Sequence, residues 1–164
     1  MTNLLFPKQI DNRYRGQWLG LVFFLPLMTL KLLMGFNVAG FNPTIKTRDI
    51  LQEVDGIPLD TFSVEAASEI VFFGNAWGFM LFILASVGVI ALIRYRAMIP
   101  FVFLLLTVEQ VGRKVMTEIQ AAPTDPGAAM SMGSMINWGL SAVCVVGLIL
   151  TVIPRRNAPE PAAY

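Results

Sequence analysis

The chain has 164 residues, 55% of them hydrophobic and 14% charged, and its formal net charge is +1. A soluble domain carries about 25% charged residues to cover its surface, and a near-neutral balance gives no electrostatic footing for nucleic acid as a partner. With no histidine and a single cysteine, Cys144, the sequence lacks the commonest metal ligand and general base, and it has no disulfide pair and no CxxC motif.

The charges lie between long apolar runs. The expected fold class is therefore an all-α integral membrane protein, a four-transmembrane-helix bundle forming one domain over residues 1–156, with spans at about 17–36, 68–93, 99–116 and 130–153. The first run, QWLGLVFFLPLMTLKLLMGF, is about 30 Å long as a helix, enough to cross a hydrocarbon core. Lys8, Arg13 and Arg15 precede it and raise a signal peptide as the alternative. The run is long for an h-region and no small-x-small site follows, so a retained helix is expected. Pro26 should kink it, which neighbouring helices tolerate in a membrane.

Residues 37–67 form the outer loop between helices 1 and 2. Thr44 can cap a short amphipathic helix through Val54, with Gly56 and Pro58 ending it, and Ile50, Leu51 and Val54 share one face of that helix. Such a stripe rests at a lipid interface or closes as a lid over a cavity between the spans. The segment is acidic: Asp49, Glu53, Asp55, Asp60, Glu65 and Glu69 outnumber Lys46 and Arg48.

The second helix should begin at Ser63 as N-cap, with Glu65 against the positive end of the helix dipole. Arg94 and Arg96 end it, and Pro100 opens the third helix, where its missing N–H is not needed. That helix loses its apolar character after Val108, at Glu109, Gln110, Arg113 and Lys114. The fourth run, Met130 to Ile153, is clear, Arg155 and Arg156 stop it, and the tail 157–164 is expected to be disordered. Lys8, Arg13, Arg15, Arg94, Arg96, Arg155 and Arg156 fall on one side, which the positive-inside rule makes cytoplasmic, so both termini are expected there.

Ionisable groups inside spans are costly and each is a site hypothesis. At about 1.5 Å per residue, Glu109 lies about 14 Å above Pro100, Lys31 about 21 Å above Gln17, and Asn75 and Asn137 roughly 25–28 Å above their inner ends. A polar pocket opening outward, bounded by Glu109, Gln110, Arg113, Lys31, Asn75 and Asn137, follows as the candidate ligand site. Two alternatives stand beside it. Glu109 and Arg113, four residues apart on one helix face, can be a self-satisfied pair that fixes helix docking. Lys31 can snorkel to the outer interface, which is the reading the sequence favours for it.

Gly74 and Gly78 make a GxxxG, and Gly139 with Ala142 leaves a smooth patch on the fourth span; both suit helix packing within the bundle. Met130, Met132 and Met135 are thioethers of the kind that select Cu(I), but methionine is also a routine filler of apolar surfaces. No metal and no cofactor is expected. Trp18, Trp77 and Trp138 fit interface anchoring or packing.

The basic start and the first span ending in lysine, RGQWLGLVFFLPLMTLKLL, followed by three more spans, resemble the DoxX-like small four-helix membrane proteins of bacteria. The long acidic segment between the first two spans departs from that pattern. The resemblance implies a bacterial inner membrane and a family that holds quinone-linked redox subunits; it carries no site residue across. The expected function is a non-catalytic inner-membrane protein, an accessory subunit packing against a larger membrane complex, with membrane lipids and other membrane subunits as partners and no nucleic acid. The alternative is a small-ligand, lipid or quinone-binding protein or transporter using the outward polar pocket. An enzyme is less expected, because a carboxylate tied to a guanidinium makes a poor general base.

Overall fold

The computed structural model describes residues 2–120 and 132–154. Its elements are α1 (Thr2–Leu5), α2 (Trp18–Val38), α3 (Thr47–Glu53), α4 (Val64–Arg94), α5 (Ile99–Gln120) and α6 (Met132–Val152), with 3-10 turns at Leu59–Thr61 and Arg96–Met98. Among the described residues there is no strand beyond an isolated bridge between Gly16 and Pro154. Met130 of the thioether set and the tail 157–164 lie outside the described residues.

Local sequence explains most of the boundaries. Ser63 caps α4, its Oγ accepting from the Ala66 N–H at 3.2 Å. α2 runs unbroken through Pro26. α3 begins at Thr47 rather than at the expected Thr44 cap, because Asn42 Oδ1 takes the Thr44 N–H at 2.9 Å and holds that residue in a turn. α5 extends a turn past the expected residue 116, since nothing before Pro123 breaks a helix.

Among the described residues three helices, α2, α4 and α6, are long and apolar enough to cross a membrane. α5 is not among them: Glu109, Arg113 and Lys114 occupy its second half. The surface agrees with the three apolar helices. Leu25, Phe72, Phe73, Met80, Ile90, Ile93 and Ile149 are exposed, whereas Lys31, Gln110, Ser141 and Thr151 are buried. A water-soluble protein of this size does not present apolar side chains along its helices and hide its polar ones. This is the pattern of a membrane protein.

α2 packs on α4, α4 on α5, α5 on α6, and α6 back on α2. Gly35 of α2 opposes Phe82 of α4, and Met28 opposes Gly88, so that pair is antiparallel. Phe103 against Gly147 and Gln110 against Asn137 make α5 and α6 antiparallel as well. The result is a four-helix ring with α2 and α5 parallel across the diagonal. Its proximal end carries the N-terminal segment and the Arg94–Arg96 turn; its distal end carries residues 39–63.

The proximal half has an apolar core of Phe24, Leu27, Met28, Ala91, Ile99, Val102, Phe103, Leu106 and Cys144. On α5, Ile99, Val102, Phe103, Leu106 and Gln110 are all at 0% exposure and share one helical stripe. The N-terminal segment straps this end. The Gln17 N–H donates to Leu150 O at 3.3 Å, Gln17 Nε2 to Pro154 O at 3.1 Å, and the Ala97 N–H to Asp11 O at 3.2 Å. α2 and α6 are therefore tied together at their proximal ends.

Small residues set the close approach of α2 and α4. A Cβ on Gly35 would lie 2.6 Å from Phe82 N, and one on Gly78 2.5 Å from the Val38 carbonyl carbon. Gly74 faces Leu51 and Thr47 of α3 at 3.2 and 3.3 Å. Gly139 and Ala142 differ from the expectation of packing within the bundle: a Cβ on Gly139 would meet nothing within 4 Å, and Ala142 is exposed. The buried stripe of α6 is instead Gly133, Ser141, Cys144, Gly147 and Thr151, which turns Gly139 outward.

Candidate functional site: a polar-floored cavity at the distal end

On α2 the inward residues Phe24, Leu27, Met28, Lys31 and Gly35 recur at helical spacing. Lys31 therefore points into the bundle, directly above the apolar core. Its side chain is fully buried; Nζ pairs with Glu109 Oε2 at 3.1 Å and donates to Gln110 Oε1. This corrects the snorkelling expectation. From an inward position an anion one layer above the core satisfies the ammonium, and the outer interface is not needed.

Glu109 is held from three sides, by Lys31, by Arg113 Nε at 3.3 Å and by Trp77 Nε1 at 3.4 Å. The Arg113 guanidinium also lies over the Trp77 ring, 4.7 Å from its centroid. Gln110 joins α5 to α6, its Nε2 donating to Asn137 Oδ1 at 3.2 Å and to Asn137 O at 3.3 Å. Arg113 Nη2 reaches Gln110 Oε1 at 3.1 Å and Asn137 Oδ1 at 3.0 Å. Lys31, Glu109, Gln110, Arg113 and Asn137 thus form one hydrogen-bonded layer across α2, α5 and α6.

Asn75 does not join this layer. It lies on α4 beside Gly40 and Thr47, and its Oδ1 is buried without a hydrogen-bond partner. Met132 and Met135 are exposed on α6, away from the layer.

Above the layer lies a half-open cavity of about 680 Å³, lined from α2, the 39–63 segment, α5 and α6. Gln110, Arg113, Asn137 and Trp77 form its floor; Leu30, Leu33 and Met34 of α2 face Ser134 and Ile136 of α6 across it. Leu30, Leu33 and Ile136 are 45%, 59% and 44% exposed, so the side between α2 and α6 is open and apolar. That volume falls within the range of about 300–1,000 Å³ usual for small-ligand pockets.

The residues 39–63 segment roofs the cavity. Ile50, Leu51, Val54 and Ile57 line it, so the apolar stripe of α3 faces inward. The roof is pinned at both ends: Thr47 Oγ1 donates to Val38 O at 3.0 Å, and the Gly133 N–H to Val54 O at 2.9 Å. Leu51, Leu59 and Ala67 make a small buried cluster behind it. On its outer face Arg48 Nη2 meets Asp60 Oδ1 at 2.7 Å and Gln52 Nε2 donates to Asp60 Oδ2 at 2.8 Å. Gly40 and Gly56 provide the left-handed turns that lead into and out of α3, at φ +76° and +73°.

Among the described residues, Arg113, Lys114 and Asp55 are the charged groups that line the cavity. Lys114 Nζ lies 5.0 Å from the Trp138 ring centroid and 3.5 Å from Ser134 Oγ. Desolvation pushes the Asp55 carboxyl above its ordinary range, with the Arg113 charge pulling the other way. Sequence reasoning passed over Trp77 and Asp55 as site residues. Trp77 stands three residues after Gly74 and four before Leu81, a spacing that marks an inward face; Asp55 was hidden in the general acidity of the loop. The site offers charge-assisted hydrogen-bond donors on a buried floor beneath apolar walls, an arrangement that recognises a polar head and tolerates an apolar body. No protein-family model, curated protein or solved structure matches the chain.

Proposed function

We propose that the chain crosses the bacterial inner membrane four times, with both termini cytoplasmic, and binds a polar-headed small ligand in the cavity between the distal halves of its helices. The observation that carries this reading is the position of the cavity. It sits on a hydrogen-bonded charged layer, under a pinned roof, with its open side framed by Leu30, Leu33 and Ile136. A charged layer that served helix docking alone needs no empty volume above it. α5 supports the fourth span: its polar half faces the other helices and the cavity, which lets a segment of such composition sit at membrane depth. Native mass spectrometry from mild detergent tests the reading. The wild-type chain is expected to carry a bound small molecule, and Ile136→Trp, which fills the mouth, is expected to lose it. A bare wild-type chain, or an adduct retained unchanged by Ile136→Trp, overturns it.

A second reading is that the chain also serves as an accessory subunit of a larger membrane complex. It is favoured by the bare outward face of α6 at Gly139 and Ala142, where another helix can approach closely. Stoichiometric partners in mild detergent are the expected result; a monodisperse lone chain contradicts it.

A further inference from the structure

We infer that the proximal end of the bundle is a binding surface for anionic lipid headgroups, with the N-terminal strap seated among them in the membrane interface. This surface is separate from the cavity and does not depend on the ligand-binding reading above.

Its depth follows from the helices. α2 starts at Trp18, α4 ends at Arg94 and α6 ends at Val152, and these are the three helices apolar enough to cross a membrane. Their ends lie together. Gln17 bonds to Leu150 and Pro154 of the α6 end, and the Ala97 N–H, just after α4, bonds to Asp11 O. The residues at these ends therefore share one boundary between water and lipid. The strap stays at that level, because Asp11 and Gln17 fasten it there and the Phe6 ring meets Phe101 near the start of α5, with centroids 5.8 Å apart.

The side chains suit such a boundary. Along the strap, exposed apolar and exposed basic groups alternate as Phe6, Lys8, Ile10 and Arg13, followed by Trp18 at the start of α2. Phe6, Ile10 and Trp18 are 57%, 58% and 58% exposed; a segment folded for water turns such groups inward. At a membrane surface the apolar groups enter the acyl boundary while the cations remain among the headgroups, and an indole is an interface anchor. Arg94 and Arg96 are exposed on the adjoining turn, on either side of Tyr95.

The lipid class follows from the charge balance. Among the described residues this end carries Lys8, Arg13, Arg15, Arg94 and Arg96 against one carboxylate, Asp11, which pairs with Arg15 at 2.6 Å. Residues 155–164 bring Arg155 and Arg156 against Glu160, so they add to the basic excess rather than cancel it. The distal loop has the opposite balance, with Asp49, Glu53, Asp55 and Asp60 against Lys46 and Arg48. The preference for anionic lipid therefore belongs to the proximal leaflet. Attraction of a basic side chain to an anionic surface fades within a Debye length, so it acts on the headgroups in direct contact with this end.

Trp18 reports those headgroups. With Trp77→Phe and Trp138→Phe it is the one indole left. The full chain, its helix content checked by circular dichroism, is placed in bilayers mixing phosphatidylglycerol and phosphatidylcholine of matched chains, with bromines on one lipid at a time. Brominated phosphatidylglycerol is expected to quench Trp18 with an apparent association constant about fivefold above that of phosphatidylcholine, the worth of one basic side chain at an anionic surface. Salt at about 1 M, where the screening length is about 3 Å, should remove most of that preference. Lys8→Gln/Arg13→Gln/Arg94→Gln/Arg96→Gln, all at exposed positions, should bring the two lipids close to parity. Phe6→Trp in a chain lacking the other three indoles should be quenched as well. Equal quenching of Trp18 by the two lipids overturns the inference, as does a preference that survives both salt and the fourfold change. A Phe6→Trp reporter that no brominated lipid reaches overturns the seating of the strap.

Discussion

Removing the Lys31 ammonium is the most informative perturbation of the charged layer. Lys31→Met keeps the buried stem and deletes the charge. Breaking a buried pair by removing one partner costs about 3–5 kcal/mol. Glu109 keeps Arg113 at 3.3 Å and Trp77 at 3.4 Å, so this variant belongs near the lower end, about 3 kcal/mol. Glu109→Gln is worse. It leaves Lys31, at 0% side-chain exposure, with the Arg113 cation and no anion in its layer, and it belongs near the upper end, about 5 kcal/mol. Lys31→Met/Glu109→Gln removes both charges, and the amide that replaces the carboxylate can still meet Trp77 and Arg113. Its cost should fall short of the sum of the single changes by about 2–3 kcal/mol, the upper part of the range for directly coupled neighbours. Reversible unfolding in mixed micelles, followed by far-UV circular dichroism, measures all three. If the single costs add to within about 0.5 kcal/mol, the Lys31–Glu109 bond contributes nothing specific and the layer is not the coupled unit described here.

Glycine substitutions should separate the two faces of the bundle. Gly78→Ala drives a methyl into the Val38–Ala39 backbone and should cost about 1–3 kcal/mol, whereas Gly139→Ala meets nothing within 4 Å and should gain up to about 1 kcal/mol; the same unfolding assay reads both. Ser63→Ala removes the cap on the Ala66 N–H and should cost about 1 kcal/mol, with faster hydrogen exchange confined to the first turn of α4. The roof should loosen in acid through Asp60, whose carboxyl Arg48 and Gln52 hold below its ordinary 3.8. A depressed folded pKa contributes stability that is complete above 3.8 and is lost as pH falls through the lower folded value. Hydrogen exchange in α3 should therefore accelerate in that window in the wild type and show no such step in Asp60→Asn.

Much of the fold was legible because it follows from short-range rules. The apolar runs gave α2, α4 and α6, and Ser63 marked the start of α4 through its own hydroxyl. The polar half of α5 was visible as the sequence GRK after VEQ, and the spacing of Glu109 and Arg113 placed them on one face. Lys31 was harder. Its neighbours Leu27, Met28 and Gly35 do define an inward stripe, but α2 is apolar on every side, so the sequence has little amphipathic contrast to show which face is buried. Asn75 was grouped with the layer by depth alone. Depth is a one-dimensional estimate, and the rotation of α4 turns Asn75 toward Gly40 while Trp77, two positions later, faces Glu109. An outward polar pocket with a lid over it was legible; its apolar opening beside Leu30, Leu33 and Ile136 was not. That opening depends on how α2 and α6, far apart in the chain, are set side by side.

The most direct test of the central claim is a structure of the full chain in native lipid, read at the space above Gln110 and Arg113. The account predicts non-protein density there, its polar head against the hydrogen-bonded layer. Distal halves of α2 and α6 closed onto each other, with side chains filling the space above the charged layer, would contradict it.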